Sequence, residues 1–188
     1  LTTLCAADHP LGAERMVGSA ERGEWLMLID DDDPMGSPQV AAELLGVAAQ
    51  SGRRVVAVGR RGAVVRRCTG LLRRVRPVAG GIVDAQYLAG GGTPIYRWEM
   101  IDREGFVDPH LFFGFEDLDL GLRWTTRGGR LVVHESPTAS SPADTASGRS
   151  PWREYYKTRA IVVVCRRHLG AAALVSTLLR TLVLGGVR

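Results

Sequence analysis

Four consecutive aspartates, Asp30 to Asp33, follow directly on the apolar run Trp25-Leu26-Met27-Leu28-Ile29. Side chains two apart in an extended segment point the same way, so Asp30 and Asp32, or Asp31 and Asp33, can present two carboxylates to one divalent cation. Hard oxygen donors with positions left open for water and phosphate suit Mg2+ or Mn2+, and a cation held there would neutralise a departing diphosphate. The plainer role is helix capping by Asp32 or Asp33, which leaves the other carboxylates for metal. A second acidic group lies in Phe112-Phe113-Gly114-Phe115-Glu116-Asp117-Leu118-Asp119. Glu116 or Asp117, at a helix start behind an aromatic cluster, could take a proton from a hydroxyl nucleophile. Acids are also favoured in a first helical turn by the helix dipole alone, and Asp119 with Arg123 has the spacing of an ordinary i,i+4 pair.

Two further features could line a site. The run Gly90-Gly91-Gly92-Thr93-Pro94 permits close backbone approach to a ligand, but it lacks the glycine order of dinucleotide and P-loop signatures, and a tight turn also explains it. His134 ends a short apolar stretch and is a candidate third metal ligand, although a lone histidine more often serves a hydrogen bond. Cys5, Cys68 and Cys165 are far apart and in no metal-binding spacing, which indicates neither a disulfide framework nor a zinc site and fits a reducing compartment. No Ser/His/Asp or Cys/His nucleophile pattern stands out.

These residues need elements to hold them. The apolar run before the aspartates predicts a strand buried on both faces of a parallel sheet, with the acids at its C-terminal mouth. Pro38 to Gln50 has helical spacing with proline in the first turn, and Arg54 to Val58 then reads as a strand, giving a helix-to-strand unit of α/β type. Residues 59–89 are rich in arginine and glycine, only weakly periodic, and carry no firm expectation. Beyond the glycines we expect a strand over Pro94 to Trp98, a helix over Glu99 to Glu104, a helix over Glu116 to Thr126 and a strand at Leu131 to Val133. Residues 135–150, rich in Ser, Pro, Thr and Ala, read as a loop over the site or a linker, and a helical region follows from Pro151.

A chain of 188 residues that is 45% hydrophobic can bury one substantial core and lies outside the composition of disordered chains. Its net charge of +4 comes from arginines, with Lys157 the lone lysine. The basic pairs alternate with Val, Gly and Leu instead of base-stacking aromatics, so no nucleic-acid partner is expected. No signal peptide is visible at the start.

Taken in order, WLMLIDDDDP, YLAGGGTPIYR, GFVDPHLFFGFEDLDLGLR and WREYYKTRA resemble glycosyltransferase family 2, particularly bacterial enzymes that add rhamnose or galactofuranose to envelope polysaccharides. The resemblance covers most of residues 12–168. It implies a GT-A-type α/β fold, a mostly parallel sheet flanked by helices, with a catalytic domain over 1–150 and a C-terminal helical region over 151–188. It implies that Asp30, Asp31 and Asp32 bind metal and sugar nucleotide, that Asp117 of the Glu116-Asp117 pair is the catalytic base, and that His134 is a metal ligand. Gly91, Gly92 and Thr93 would form the wall where donor sugar and acceptor meet, and Tyr156 and Arg159 match a Tyr-Tyr-x-x-Arg-Asn element. Ala160 stands where that element has Asn, and Met16 departs likewise from an upstream Asn. The family's opening strands have no counterpart ahead of Leu1, which predicts that Trp25 to Ile29 is an exposed edge.

The implied reaction is inverting transfer from a nucleotide-diphosphate sugar to a glycan or lipid-linked acceptor, with Mg2+ or Mn2+ as cofactor. From Gly170 to Val187 the chain is almost wholly apolar after Arg166-Arg167-His168, which predicts peripheral association with the inner face of the cell membrane, Arg180 reaching toward headgroups. Two rival readings stand beside this one. A truncated noncatalytic remnant would serve as a membrane-associated interaction module, and a metal-dependent phosphohydrolase would use the aspartates but leave the Phe-rich Glu-Asp helix unexplained.

Overall fold

The computed structural model describes residues 2–6, 23–30, 38–78, 80–89, 93–111, 113–135 and 150–185, with 2–6, 30, 38, 184 and 185 described by backbone alone. The fold is mixed α/β. A six-stranded sheet has the order β1-β2-β8-β3-β9-β6, with β1 Thr2–Ala6, β2 Trp25–Asp30, β3 Val55–Gly59, β6 Ile82–Ala85, β8 Ile95–Arg97 and β9 Arg130–His134. The pairings β1 with β2 and β3 with β9 are parallel, and the other three are antiparallel. The expected mostly parallel sheet is thus corrected to a mixed one. Four strands do run the same way, but β8 returns against them between β2 and β3, and β6 does so at the rim.

The continuous apolar run in β2 follows from cover on both faces. Trp25, Met27 and Ile29 pack under α1 (Pro38–Gln50), against Val40, Leu44 and Ala48. Leu26 and Leu28 point the other way, into a core with Tyr96, Trp98, Leu120 and Trp124. Tyr96 is central to that core, edge-on to Phe106 and Trp124 at centroid distances of 5.3 and 5.8 Å. Nor is β2 the expected edge, because β1 pairs along its whole length from Thr2 opposite Leu26 to Ala6 opposite Asp30.

The stretch without a firm expectation forms four strands. Besides β6, β4 (Gly62–Arg66), β5 (Leu71–Arg74) and β7 (Tyr87–Leu88) make a small sheet in the order β5-β4-β7. These strands are two to five residues long, and β5 exposes both arginines, so no alternation marks them in the sequence.

Helices α2 (Trp98–Glu104) and α3 (Glu116–Thr126) cover the face of the large sheet opposite α1. Gly121 permits the contact of α3 with the strand region around β7, since a Cβ there would overlap the Gln86 carbonyl oxygen and lie 2.9 Å from its carbon. Glycines at 128 and 129 turn the chain from α3 into β9, with the Gly129 amide donating to the Trp124 carbonyl at 3.0 Å. Helix α4 (Pro151–Val164) packs Ala160 and Val164 on Leu118 and Leu122 of α3. A π-helical turn, Cys165–Leu169, and Gly170 lead into α5 (Ala171–Gly185). Ala160, which stands where the resembling Tyr-Tyr-x-x-Arg-Asn element has Asn, is therefore a core residue. Among the described residues no helix is long and apolar enough to cross a membrane.

Candidate active site at the carboxyl edge of the sheet

Strand β2 ends at Asp30, β3 at Gly59 and β9 at His134, all on one edge of the sheet because the three strands run the same way. Strand β8 starts at this edge. Its register with β2 sets the Leu28 amide donating to the Pro94 carbonyl at 3.3 Å, so the chain leaving the glycine run lies beside the end of the aspartate-bearing strand. Helix α3 turns tightly into β9 and runs back along it, which brings the first turn of α3, with Glu116 and Asp117, to the same edge. Ligands of open α/β sheets bind outside the carboxyl ends of the strands.

Asp31, Asp32, Gly91 and Gly92 lie outside the described residues, as do Asp33, Gly90 and most of the loop expected at 135–150. Asp30 is placed by its backbone at the mouth of β2. Thr93 is buried, with a φ of 46°. Phe115, immediately before the acidic pair, has a φ of 64°. These are the two left-handed non-glycine residues among those described, and such strained positions persist where the surroundings hold them, often at functional sites.

What holds Phe115 is visible. Gly114, also left-handed, lies under Lys157 of α4, whose Cγ would be 2.9 Å from an added Cβ. Phe113 packs edge-on against Trp152 at 5.1 Å, and the cations of Arg153 and Lys157 sit 5.6 and 5.7 Å from its ring centre. Tyr156 joins this cluster through Trp152 and Tyr155, at 6.4 and 5.2 Å. Arg159 donates to the His110 carbonyl at 2.9 Å. The structure therefore places Arg159 against the segment that leads into α3, and Tyr156 beside Trp152, which packs on Phe113 of that segment.

Glu116 and Asp117 are half-buried. They lie close enough to Tyr87 for their charges to add to burial in pushing its phenol well above the ordinary value, against the opposing effect of Arg74. One turn on, Asp119 is wholly buried and accepts hydrogen bonds from Arg123 Nε at 3.0 Å, His168 Nε2 at 2.8 Å and Arg167 Nη1 at 3.4 Å. Burial raises its pKa, but the bonds and charges of His168 and Arg123 outweigh that and hold it below the ordinary carboxylate value. Arg123 also donates to the carbonyls of Glu104 and Phe106, and Arg167 bonds Asp108 at 2.6 Å. Asp108 is likewise held low, with burial opposed by Arg167 and the His110 amide. Arginines from α3, α4 and the π turn thus clamp the segment between α2 and α3.

This clamp, Tyr87 and the Phe113–Trp152 contact are not anticipated by the local sequence pattern. The alternation of aromatics with cations in Trp152-Arg153-Glu154-Tyr155-Tyr156-Lys157 was the available signal for the latter. The former had none, since Asp119 and His168 are 49 residues apart.

His134 is buried, and its Nδ1 lies 3.1 Å from the Gly81 carbonyl, so Nε2 is the atom that would face a ligand. Three strand spacings separate β9 from β2, about 14 Å at about 4.8 Å each, so an ion bound by both must lie between them. Among the described residues no three His, Cys, Asp or Glu side chains gather around a cation-sized point. Of the two candidate donors at this edge, the carboxylate type of Asp30 suits a hard divalent cation, whereas the imidazole of His134 is a donor that softer transition metals favour.

No family model and no curated protein matches the chain. The structure is similar to that described as "Crystal structure of GalNAc-T7 with UDP, GalNAc and Mn2+", with a TM-score of 0.48 and 18% identity over 81% of this chain and 35% of that one. It is also similar to "Crystal structure of S. aureus TarS 1-349", with a TM-score of 0.45 and 18% identity over 93% of this chain and 51% of that one. The chain spans about a third and about half of these two proteins respectively.

Proposed function

We propose that this chain is the metal-binding and catalytic part of an inverting, GT-A-type glycosyltransferase resembling family 2. It would transfer a sugar from a nucleotide-diphosphate donor to a glycan or lipid-linked acceptor in cell-envelope polysaccharide synthesis. One observation carries the reading. The aspartate-bearing end of β2, the backbone leaving the glycine run, and the acidic first turn of α3 converge on one sheet edge, although they are 30, 93 and 116 in the chain. Asp117, with Glu116 beside it, accepts the proton of the acceptor hydroxyl as that oxygen attacks the anomeric carbon, and the nucleoside diphosphate leaves from the opposite face. One displacement inverts the centre and needs no covalent enzyme intermediate. Asp30, Asp32 and His134 would hold Mg2+ or Mn2+, whose charge stabilises the diphosphate that departs. Asp31, Gly91, Gly92 and Thr93 would line the donor, and Tyr156 and Arg159 support the acceptor side through the segment before α3.

Two measurements test the reading. Incubation with sugar nucleotides and lipid-linked glycan primers should give metal-dependent transfer, and its absence with every donor would refute it. Calorimetry with a nucleoside diphosphate should show metal-dependent binding that Asp32→Ala removes; unchanged affinity would reject the metal assignment.

A specific observation also favours a membrane-surface role, whether or not the chain is catalytic. Helix α5 leaves Val175, Leu178, Leu179, Leu182 and Val183 exposed. Arg180 is not directed outward as the sequence suggested, because it donates to the Thr69 carbonyl at 2.7 Å. An interfacial helix with that apolar face would hold the chain at the cytoplasmic face of the membrane. Replacing Leu179, Leu182 and Val183 together by glutamate should abolish flotation with anionic liposomes, and undiminished flotation would remove α5 as the anchor.

A further inference from the structure

A groove of about 560 Å3 lies between the β4–β5 turn, α4 and α5, outside the sheet-edge site but bordered by Phe115, the residue before the acidic pair. Its apolar surfaces come from Leu71, Leu72, Phe115 and Ile161. Leu71 is exposed. Arg180 is the cation in the lining and Glu154 the anion. Arg180 is held in place from behind: Nε donates to the Ser176 carbonyl, and Nη2 to the Thr69 carbonyl and the Thr177 hydroxyl. Nη1 has no partner among the described residues, so an oriented guanidinium edge remains available in a half-buried, largely apolar setting. Leu178 and Leu182, next in sequence to the lining residues Thr177 and Thr181, are exposed on the same helix.

We propose that this groove binds a single-chain anionic amphiphile of the phosphate-monoester class, with the head on Arg180 Nη1 and the hydrocarbon chain along Leu71, Leu72, Phe115 and Ile161. Apolar burial supplies the bulk of the affinity, and a charge-assisted bond from a guanidinium fixed in advance sets the position of the head. A saccharide is the poorer match, because three of the four apolar wall residues are aliphatic and offer no ring to stack on. The proposal rests on the glycosyltransferase reading only in making such an amphiphile the lipid end of the acceptor, whose glycan esterifies the phosphate to a diester that keeps one negative charge for Arg180. Phe115 would then be the shared border between carrier and reacting hydroxyl. Glu154 sets the sign of the test: it repels an anion, whereas for a sugar it would accept hydroxyl hydrogen bonds.

The experiment is calorimetric titration of the full chain with octyl phosphate below its micelle concentration, with neither metal nor sugar nucleotide present. A chain without transferase activity can therefore still support the proposal, and an active one can still contradict it. One saturable site is expected, with inorganic phosphate and octanol each at least tenfold weaker. Leu71→Glu and Thr158→Trp, one on an exposed wall and one filling the groove, should each weaken binding at least tenfold. Glu154→Gln should tighten it severalfold, and Val78→Glu, an exposed control outside the groove, should leave it unchanged. Parent-like binding by Leu71→Glu and Thr158→Trp would overturn the groove assignment. Equal binding of inorganic phosphate would reduce the site to a free-anion site, and weaker binding by Glu154→Gln would overturn the placement of an anionic head in this groove.

Discussion

Two layers on opposite sides of the large sheet are held together differently. Under α1, the residues Trp25, Met27, Val40, Leu44, Val55, Val58, Ile95 and Val132 form an apolar cluster. On the other side, beyond the apolar core that Leu26, Tyr96, Leu120 and Trp124 form against the sheet, the layer between α3, α4 and the small sheet joins the cluster of Val65, Leu111, Leu118, Leu122, Ala160 and Val164 to the buried Asp119 with Arg123, Arg167 and His168. Apolar burial is non-directional and tolerates repacking, whereas a buried carboxylate demands its donors in fixed places. The candidate catalytic pair sits on the directional side. Stability is thus shared by both sides, while the orientation of α3 depends on the charged one.

The largest expected effect is Asp119→Ala, which strands Arg123 and His168 and should cost about 3–5 kcal/mol of unfolding free energy, by analogy with the breaking of buried ion pairs. A cost near that of a surface ion pair, below about 1 kcal/mol, would break the comparison. Leu44→Ala on the apolar side should cost about 3 kcal/mol through lost burial and the residual cavity. Urea unfolding measures both. Gly121→Ala should cost about 1–3 kcal/mol, because the Gln86 backbone must shift to admit the methyl group. A neutral result would show that α3 stands off β7.

Acid sharpens the contrast further. Asp119 and Asp108 have folded pKa values below the ordinary 3.8, so the unfolded chain takes up more protons and stability falls as pH drops through and below that value. Their contribution is fully present at neutral pH. The parent and Leu44→Ala should show the same slope of stability against pH below about 4, and Asp119→Ala a shallower one. Equal slopes in all three would assign acid sensitivity elsewhere. The smallest effect belongs to Leu71→Glu, an exposed residue whose change should move stability by less than about 0.5 kcal/mol, confirming that its binding phenotype is local.

Patterns confined to one element were legible in advance. The helices at 38–50 and 116–126 stand where spacing and first-turn chemistry put them, and β2 ends at the aspartates as its apolar run requires. What depended on distant partners was not. The short strands over 62–88 pair mostly with one another and expose their arginines, so neither alternation nor a continuous apolar run marks them. Asp119 has the spacing of an unremarkable pair with Arg123, and only the docking of His168 reveals it as buried. The antiparallel insertion of β8 follows from which strands it lies between, a property no segment of sequence carries by itself.

In the proposed mechanism the first turn of α3 delivers the base for glycosyl transfer. Asp117→Asn keeps the shape of the side chain and removes its ability to accept a proton. With the donor and primer that support transfer by the parent protein, the variant should lose about 100- to 10,000-fold in turnover while binding the sugar nucleotide with unchanged affinity by calorimetry. Transfer near the parent rate, with donor binding intact, would contradict the assignment of Asp117 as the base.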